Sequence, residues 1–153
     1  MNVCRLLLAF LLFSTPATAA QDALAVHFFY GDGCPHCARE EALLQELESH
    51  GNLRIERYEV YFSPDNLDLL ERVAERLQAY SPAVPFLVVG DEYVVGYDDH
   101  FTPEVVRTLI AKCLPGDCPD AVRQVIGAGR PAAPPPPEAV PTARPDAAPG
   151  APP

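Results

Sequence analysis

The sequence predicts an α/β fold: a central four-stranded mixed sheet flanked by helices, with no large helical insertion. Three observations carry this. Extended and helical segments follow one another as strand, helix, strand, helix, strand, strand, helix between Ala25 and Cys113. A C-x-x-C pair, Cys34 and Cys37, stands where the first strand passes into the first helix. A proline, Pro85, directly precedes the third strand, and Gly90-Asp91-Glu92 after it signals a hairpin to the fourth.

Each element has its own warrant. Ala25 to Tyr30 are apolar, aromatic or histidine, as in a strand buried on both faces. Gly31 and Gly33 end it. Pro35 then falls at the first position of a helix, where its missing N–H is not needed. That helix runs to His50 with Leu43, Leu44 and Leu47 as its apolar stripe, and Gly51-Asn52 stops it. Leu53 to Phe62 reads as the second strand. Ser63-Pro64-Asp65 is a turn, with Asp65 or Asn66 capping a helix from about Leu67 to Ala79. Phe86–Val89 and Tyr93–Gly96 are the hairpin strands. Thr102 is expected to cap a helix that continues to Cys113, and Pro119 to open a short final helix through Ile126.

The two ends of the chain read differently. Arg5 is followed by an eight-residue apolar run, Leu6 to Phe13, and by the small-x-small site Ala17-Thr18-Ala19. This is a signal-peptide pattern over residues 1–20, and the run is far shorter than the roughly 20 residues of a membrane span. Residues 21–127 form the domain. Residues 128–153 contain 10 Pro and 8 Ala, a composition that cannot bury a core and predicts an extended, disordered tail. Cleavage removes Cys4 and leaves four cysteines in an exported, oxidising setting where disulfides persist. The net charge of −10 becomes −11, because Arg5 is lost and every Asp and Glu lies beyond Ala20. Such a balance argues against nucleic acid and anionic membrane surfaces as partners.

The chemistry centres on Cys34. At a helix N-terminus the dipole and free N–H groups stabilise an anion, so a thiolate there is a nucleophile with a lowered pKa. Cys37, further into the helix, is the resolving thiol. His36 beside the thiolate tunes the couple, since partial positive charge favours the reduced form. Glu41 follows Cys37 by one helical turn and can act on its proton. His27, inside the strand, reads as a core residue, and His50 and His100 have nothing around them. Cys113 and Cys118 enclose Leu114-Pro115-Gly116-Asp117, which allows a tight turn and a structural disulfide. The alternatives are a second redox pair, or one metal site using all four cysteines with His36.

Cys34-Pro35-His36-Cys37, Val84-Pro85 and the element order together resemble the thioredoxin superfamily, and the Pro-His dipeptide resembles periplasmic disulfide-donor (Dsb-type) oxidases. Those oxidases also place a Glu where Glu41 stands. The resemblance implies a cis peptide bond at Val84–Pro85, with Pro85 facing the C-x-x-C and helping to hold the substrate chain. It implies catalytic roles for Cys34, Pro35, His36, Cys37 and Pro85. Two departures stand out. Only 47 residues separate Cys37 from Pro85, with no room for the helical insertion of the Dsb-type oxidases. Phe28 occupies the place, six residues before the first Cys, where the superfamily often carries a buried acid, which leaves Glu41 as the expected nearby carboxylate.

The expected function is therefore thiol–disulfide exchange on protein thiols in the cell envelope, more as disulfide donor than acceptor. The alternatives are a periplasmic reductase fed by a membrane electron donor, or a non-catalytic metal-binding module. No cofactor is called for. The expected partners are protein thiols and disulfides and a membrane redox protein, with the chain itself a monomer.

Overall fold

A computed structural model describes residues 23–129. The segments expected as signal peptide and Pro/Ala tail lie outside these residues, apart from the first two positions of the tail. Eight elements follow in order: β1 (Leu24–Tyr30), α1 (Pro35–His50), β2 (Leu53–Glu59), α2 (Pro64–Arg76), β3 (Phe86–Val89), β4 (Glu92–Val95), α3 (Thr102–Cys113) and α4 (Ala121–Ala128). The strands form one sheet in the order β2-β1-β3-β4. β1 runs parallel to β2 and antiparallel to β3, which pairs antiparallel with β4. The sheet is therefore mixed, as expected.

The central strands are apolar except at His27, because both faces are covered. Strand side chains alternate between faces. Val26, Phe28, Leu87 and Val89 join one core with Leu43 and Leu44 of α1 and Val106, Leu109 and Ile110 of α3. Phe29, Phe86 and Val88 join a second with Leu69, Leu70 and Val73 of α2 and Val122 and Val125 of α4. Phe28, Phe29 and Phe86 are fully buried, each contributing on the order of 2 kcal/mol from removal of apolar surface from water.

His27 is a core residue, as its place in the strand suggested. It lies on the side of the second core, with Nε2 3.0 Å from Asp120 Oδ1 and Nδ1 3.2 Å from the Tyr58 hydroxyl. A carboxylate only accepts, so Nε2–H donates to Asp120 and the Tyr58 hydroxyl donates to Nδ1. Asp120 also caps α4 by accepting the Arg123 N–H at 2.8 Å. Burial pushes the Asp120 carboxyl up, but the hydrogen bonds from His27 and Arg123 outweigh it and hold the group below the usual carboxylate range.

Several boundaries differ from expectation, each for a local reason. β2 stops at Glu59 instead of Phe62 because the Glu59 carboxylate accepts the N–H groups of Tyr61 at 2.8 Å and Phe62 at 2.9 Å, turning the chain. α2 starts at Pro64, not Leu67: Ser63 is its cap, accepting the Asn66 N–H, and Pro64 takes the first helical position. It ends at Arg76 because Gln78 adopts φ 56°, with Ala79 N–H donating to Ala74 O at 2.8 Å and Gln78 N–H to Glu75 O at 3.1 Å. This is a Schellman ending with glutamine in the left-handed position. Thr102 does not cap α3. It lies inside the helix, buried, and its hydroxyl accepts the Asp98 N–H at 2.9 Å.

Candidate functional site

The site forms where β1 ends. Gly31 to Gly33 turn the chain, with Gly33 at φ +77°, and deliver Cys34 to the N-cap of α1. A side chain at Gly31 would run into the Tyr61 ring, so this turn packs tightly against the β2–α2 connection. Glu59 ties the same two loops, accepting the Asp32 N–H at 3.2 Å. Cys34 and Cys37 form a disulfide with Cα atoms 5.2 Å apart. The Cys37 N–H donates to Cys34 Sγ at 3.2 Å, so a helix N-terminal donor already points at that sulfur. Cys34 is half-buried, whereas Cys37 is only 3% exposed. Cys34 is therefore the sulfur accessible from outside, and Cys37 the enclosed one.

The other expected site residues are placed as follows. Pro35 is exposed at the first position of α1. The Val84–Pro85 bond is cis. Phe86 pairs with Phe29, so the register carries Pro85 to the level of Tyr30, the same sheet end as the disulfide. The Pro85 carbonyl accepts the Gly96 N–H at 2.8 Å. His36 is exposed, and its Nδ1 lies 3.1 Å from the Tyr97 carbonyl and 2.9 Å from the Arg39 guanidinium. The carbonyl needs a proton on Nδ1 and the guanidinium needs it bare, so the two contacts alternate with the tautomer. Arg39 also sits over the Tyr97 ring, 5.9 Å from its centre.

Glu41 is tied to Arg57, whose Nε donates to both of its oxygens at 3.0 and 3.2 Å, and it accepts from Gln45 at 2.9 Å. Arg57 in turn holds Glu48 at 3.1 Å. Glu41 and Arg57 line a cavity of about 480 Å³ that Phe28, Tyr30, Cys34 and Cys37 also border. Glu41 therefore stands near the disulfide with its charge already balanced.

Beside Glu41 on α1 stands a second carboxylate, Glu40, which the sequence reading passed over. Glu40 is 1% exposed, and neither of its carboxyl oxygens has a hydrogen-bond partner. Burial alone pushes its pKa up to about 8, so the group is neutral at pH 7. A signal for it was present: Glu40 lies three residues after Cys37 and three and four before Leu43 and Leu44, on the buried stripe of α1.

Cys113 and Cys118 form the second disulfide, with Cα atoms 5.2 Å apart. Gly90 lies against it at φ +69°, where an added Cβ would come within 3.0 Å of Cys118 Cβ and 3.1 Å of Cys113 Sγ. This pair borders a separate cavity with Leu24, at the start of β1, whereas Cys34 follows its end. Seven strand residues, about 23 Å, separate the two disulfides along the sheet. The four cysteines do not converge, so the expected alternative of one four-cysteine metal site is not formed. Among the described residues no cluster of three or more His, Cys, Asp or Glu is placed to hold a metal ion.

A mixed sheet in the order β2-β1-β3-β4, with helices on both faces, a cis-proline entering β3 and a disulfide at the N-terminus of α1, defines the thioredoxin fold. Solved structures similar to the chain include a glutaredoxin from Archaeoglobus fulgidus, 27% identical over 59% of this chain and 89% of that one, with a TM-score of 0.43. The oxidised form of mitochondrial thioredoxin 3 from Saccharomyces cerevisiae is 20% identical over 60% and 80%, at 0.41. Glutaredoxin 1 from Francisella tularensis, complexed with cacodylate, is 18% identical over 56% and 93%, at 0.38. No protein-family model and no curated protein matches the chain.

Proposed function

We propose that the chain is an exported thiol–disulfide oxidoreductase that donates the Cys34–Cys37 disulfide to protein thiols in the cell envelope. The observation that carries this reading is the disulfide at the start of α1, one sulfur half-buried and receiving a helix N–H, the other enclosed. A substrate thiolate attacks Cys34 Sγ, the bond to Cys37 breaks, and Cys37 leaves with the electron pair. The product is a mixed disulfide between substrate and Cys34. A second substrate thiolate attacks its own sulfur in that bond, releasing Cys34 as a thiolate and leaving the substrate oxidised by two electrons. The reverse sequence reduces a substrate disulfide. Stabilisation of the Cys34 thiolate favours the reduced protein and hence the donor direction.

Export rests on the pattern of residues 1–20, and a membrane protein that reoxidises the site completes the cycle. Reduction of substrates is the second reading, favoured by the compact stretch between Cys37 and Pro85, which holds only the remainder of α1, β2 and α2. The chain works as a monomer, with Cys113–Cys118 as a structural clamp on the α3–α4 connection. Substrate trapping tests the assignment of attacker and resolver. Cys37→Ser should accumulate mixed disulfides with substrate proteins that carry a disulfide, seen on non-reducing gels, and Cys34→Ser none. The reversed pattern would exchange the two roles.

A further inference from the structure

Every turnover moves a proton at Cys37. When the Cys34–Cys37 bond opens, Cys37 leaves as a thiolate inside the protein, where an unneutralised charge is costly. When the bond closes again, the Cys37 thiol must lose its proton before it can attack. At 3% exposure, bulk water is poorly placed to do either. Glu40 lies one turn further along the same buried face of α1, where side chains three apart hold their Cβ atoms about 5–6 Å from each other. Its two carboxyl oxygens are enclosed and unpartnered, so it has proton-accepting capacity that no structural hydrogen bond consumes. As packing alone a carboxyl is a poor occupant of this place, because its burial without a partner costs free energy that a leucine would not.

We infer that Glu40 is the proton donor and acceptor for the Cys37 sulfur. The inference rests on the oxidoreductase reading and adds a residue to it. On opening, the neutral Glu40 carboxyl gives its proton to the departing Cys37 thiolate. On closing, the Glu40 carboxylate takes the proton from the Cys37 thiol, which attacks Cys34 Sγ and expels the bound thiolate. The negative charge enters with the attacking thiolate, passes from Cys37 to Glu40 on opening, and leaves with the expelled thiolate on closing. A carboxyl whose proton affinity is raised by burial to about 8 is matched to a thiol, as an ordinary Glu is not.

The surrounding groups leave this role to Glu40. On its own helix stand His36, held to Tyr97 or Arg39, and Glu41, held to Arg57. β3 brings only Phe86 to Val89, and α3 packs Val106, Leu109 and Ile110 into the same core. From the β4–α3 connection the Tyr97 phenol feels Glu40: burial first, then the charges of Asp99 and Glu40, raise its pKa, while Arg39 and Arg107 oppose them.

The test is a single-turnover measurement on the reduced protein with dithiobis(nitrobenzoate). One thionitrobenzoate couples to Cys34, and attack by Cys37 then releases it as a coloured thiolate that needs no proton. The rate of this second step is followed from pH 5 to 9 for the wild type, Glu40→Gln and Glu40→Leu. The wild-type profile should bend near pH 8. Both variants should lose the bend and be slower by about 100-fold at pH 7, the scale of a positioned acid–base group. Glu40→Leu packs without a polar group and decides the matter if Glu40→Gln is poorly folded. Variant profiles that superimpose on the wild type within a factor of two would overturn the inference. Absence of the second release in the wild type would overturn the oxidoreductase reading, and this inference with it.

Discussion

Glu40 makes a claim on stability that is separate from its place in catalysis. In the unfolded chain its carboxyl titrates at about 4.5, and in the folded protein at about 8. Between these values the native state holds a proton that the unfolded chain has released. Stability therefore falls as pH rises through this window, by about 1.4 kcal/mol per pH unit, and the decline stops above pH 8 where both states are ionised. Below pH 4.5 both are protonated and the group is silent. Urea unfolding of the wild type and Glu40→Leu across pH 4 to 9 should show the difference between them widening over that window in favour of the variant. A difference that stays constant with pH would mean that Glu40 is already ionised, or solvated, in the folded protein. Glu41, one position away, shows how closely such behaviour follows direction on the helix: it meets Arg57 across the edge of β2, whereas Glu40 meets the core.

At the scale of elements, helix termini separate the two disulfides. Cys34 is the N-cap of α1, where a thiolate gains from the dipole and from the Cys37 N–H. Cys113 is the last residue of α3, where the dipole opposes a thiolate. On the proposed function the first bond is the one that opens, and the helix termini favour that order. α2 offers an independent check on how its end is made. Gln78 occupies the left-handed position that glycine fills without steric cost. Gln78→Gly should raise stability by about 1 kcal/mol, read as a higher urea midpoint with an unchanged slope. A loss of stability would show that the glutamine side chain, and not its backbone, holds this turn.

At the scale of the whole molecule, what was legible in the sequence was whatever local chemistry decides. The continuous apolar runs of β1 and β3 announced strands covered on both faces, and Gly31, Gly33 and Pro35 announced the junction that carries Cys34. The cis bond at Pro85 followed from resemblance, not from the proline alone. What was not legible was decided by tertiary partners. Glu40 shares the stripe of Leu43 and Leu44, but that spacing alone does not distinguish a buried carboxyl from the edge of a solvated face until what covers α1 is known. The end of β2 was misplaced because Tyr61 and Phe62 look like strand residues, while the Glu59 carboxylate has captured their backbone N–H groups. His27 reads as a lone histidine until Asp120, 93 residues later, and Tyr58 close around it.

On the proposed function, Cys34–Cys37 is a disulfide made to be given away. The most direct test is its reduction potential, from equilibration of residues 21–153 with glutathione, alkylation of free thiols and mass analysis resolved to each cysteine. Cys34–Cys37 should open first, near about −120 mV as for a strong disulfide donor, while Cys113–Cys118 stays closed. A value near about −270 mV, the range of thioredoxin, would contradict donation and turn the reading to a reductase. Opening of Cys113–Cys118 before Cys34–Cys37 would contradict the assignment of the site itself.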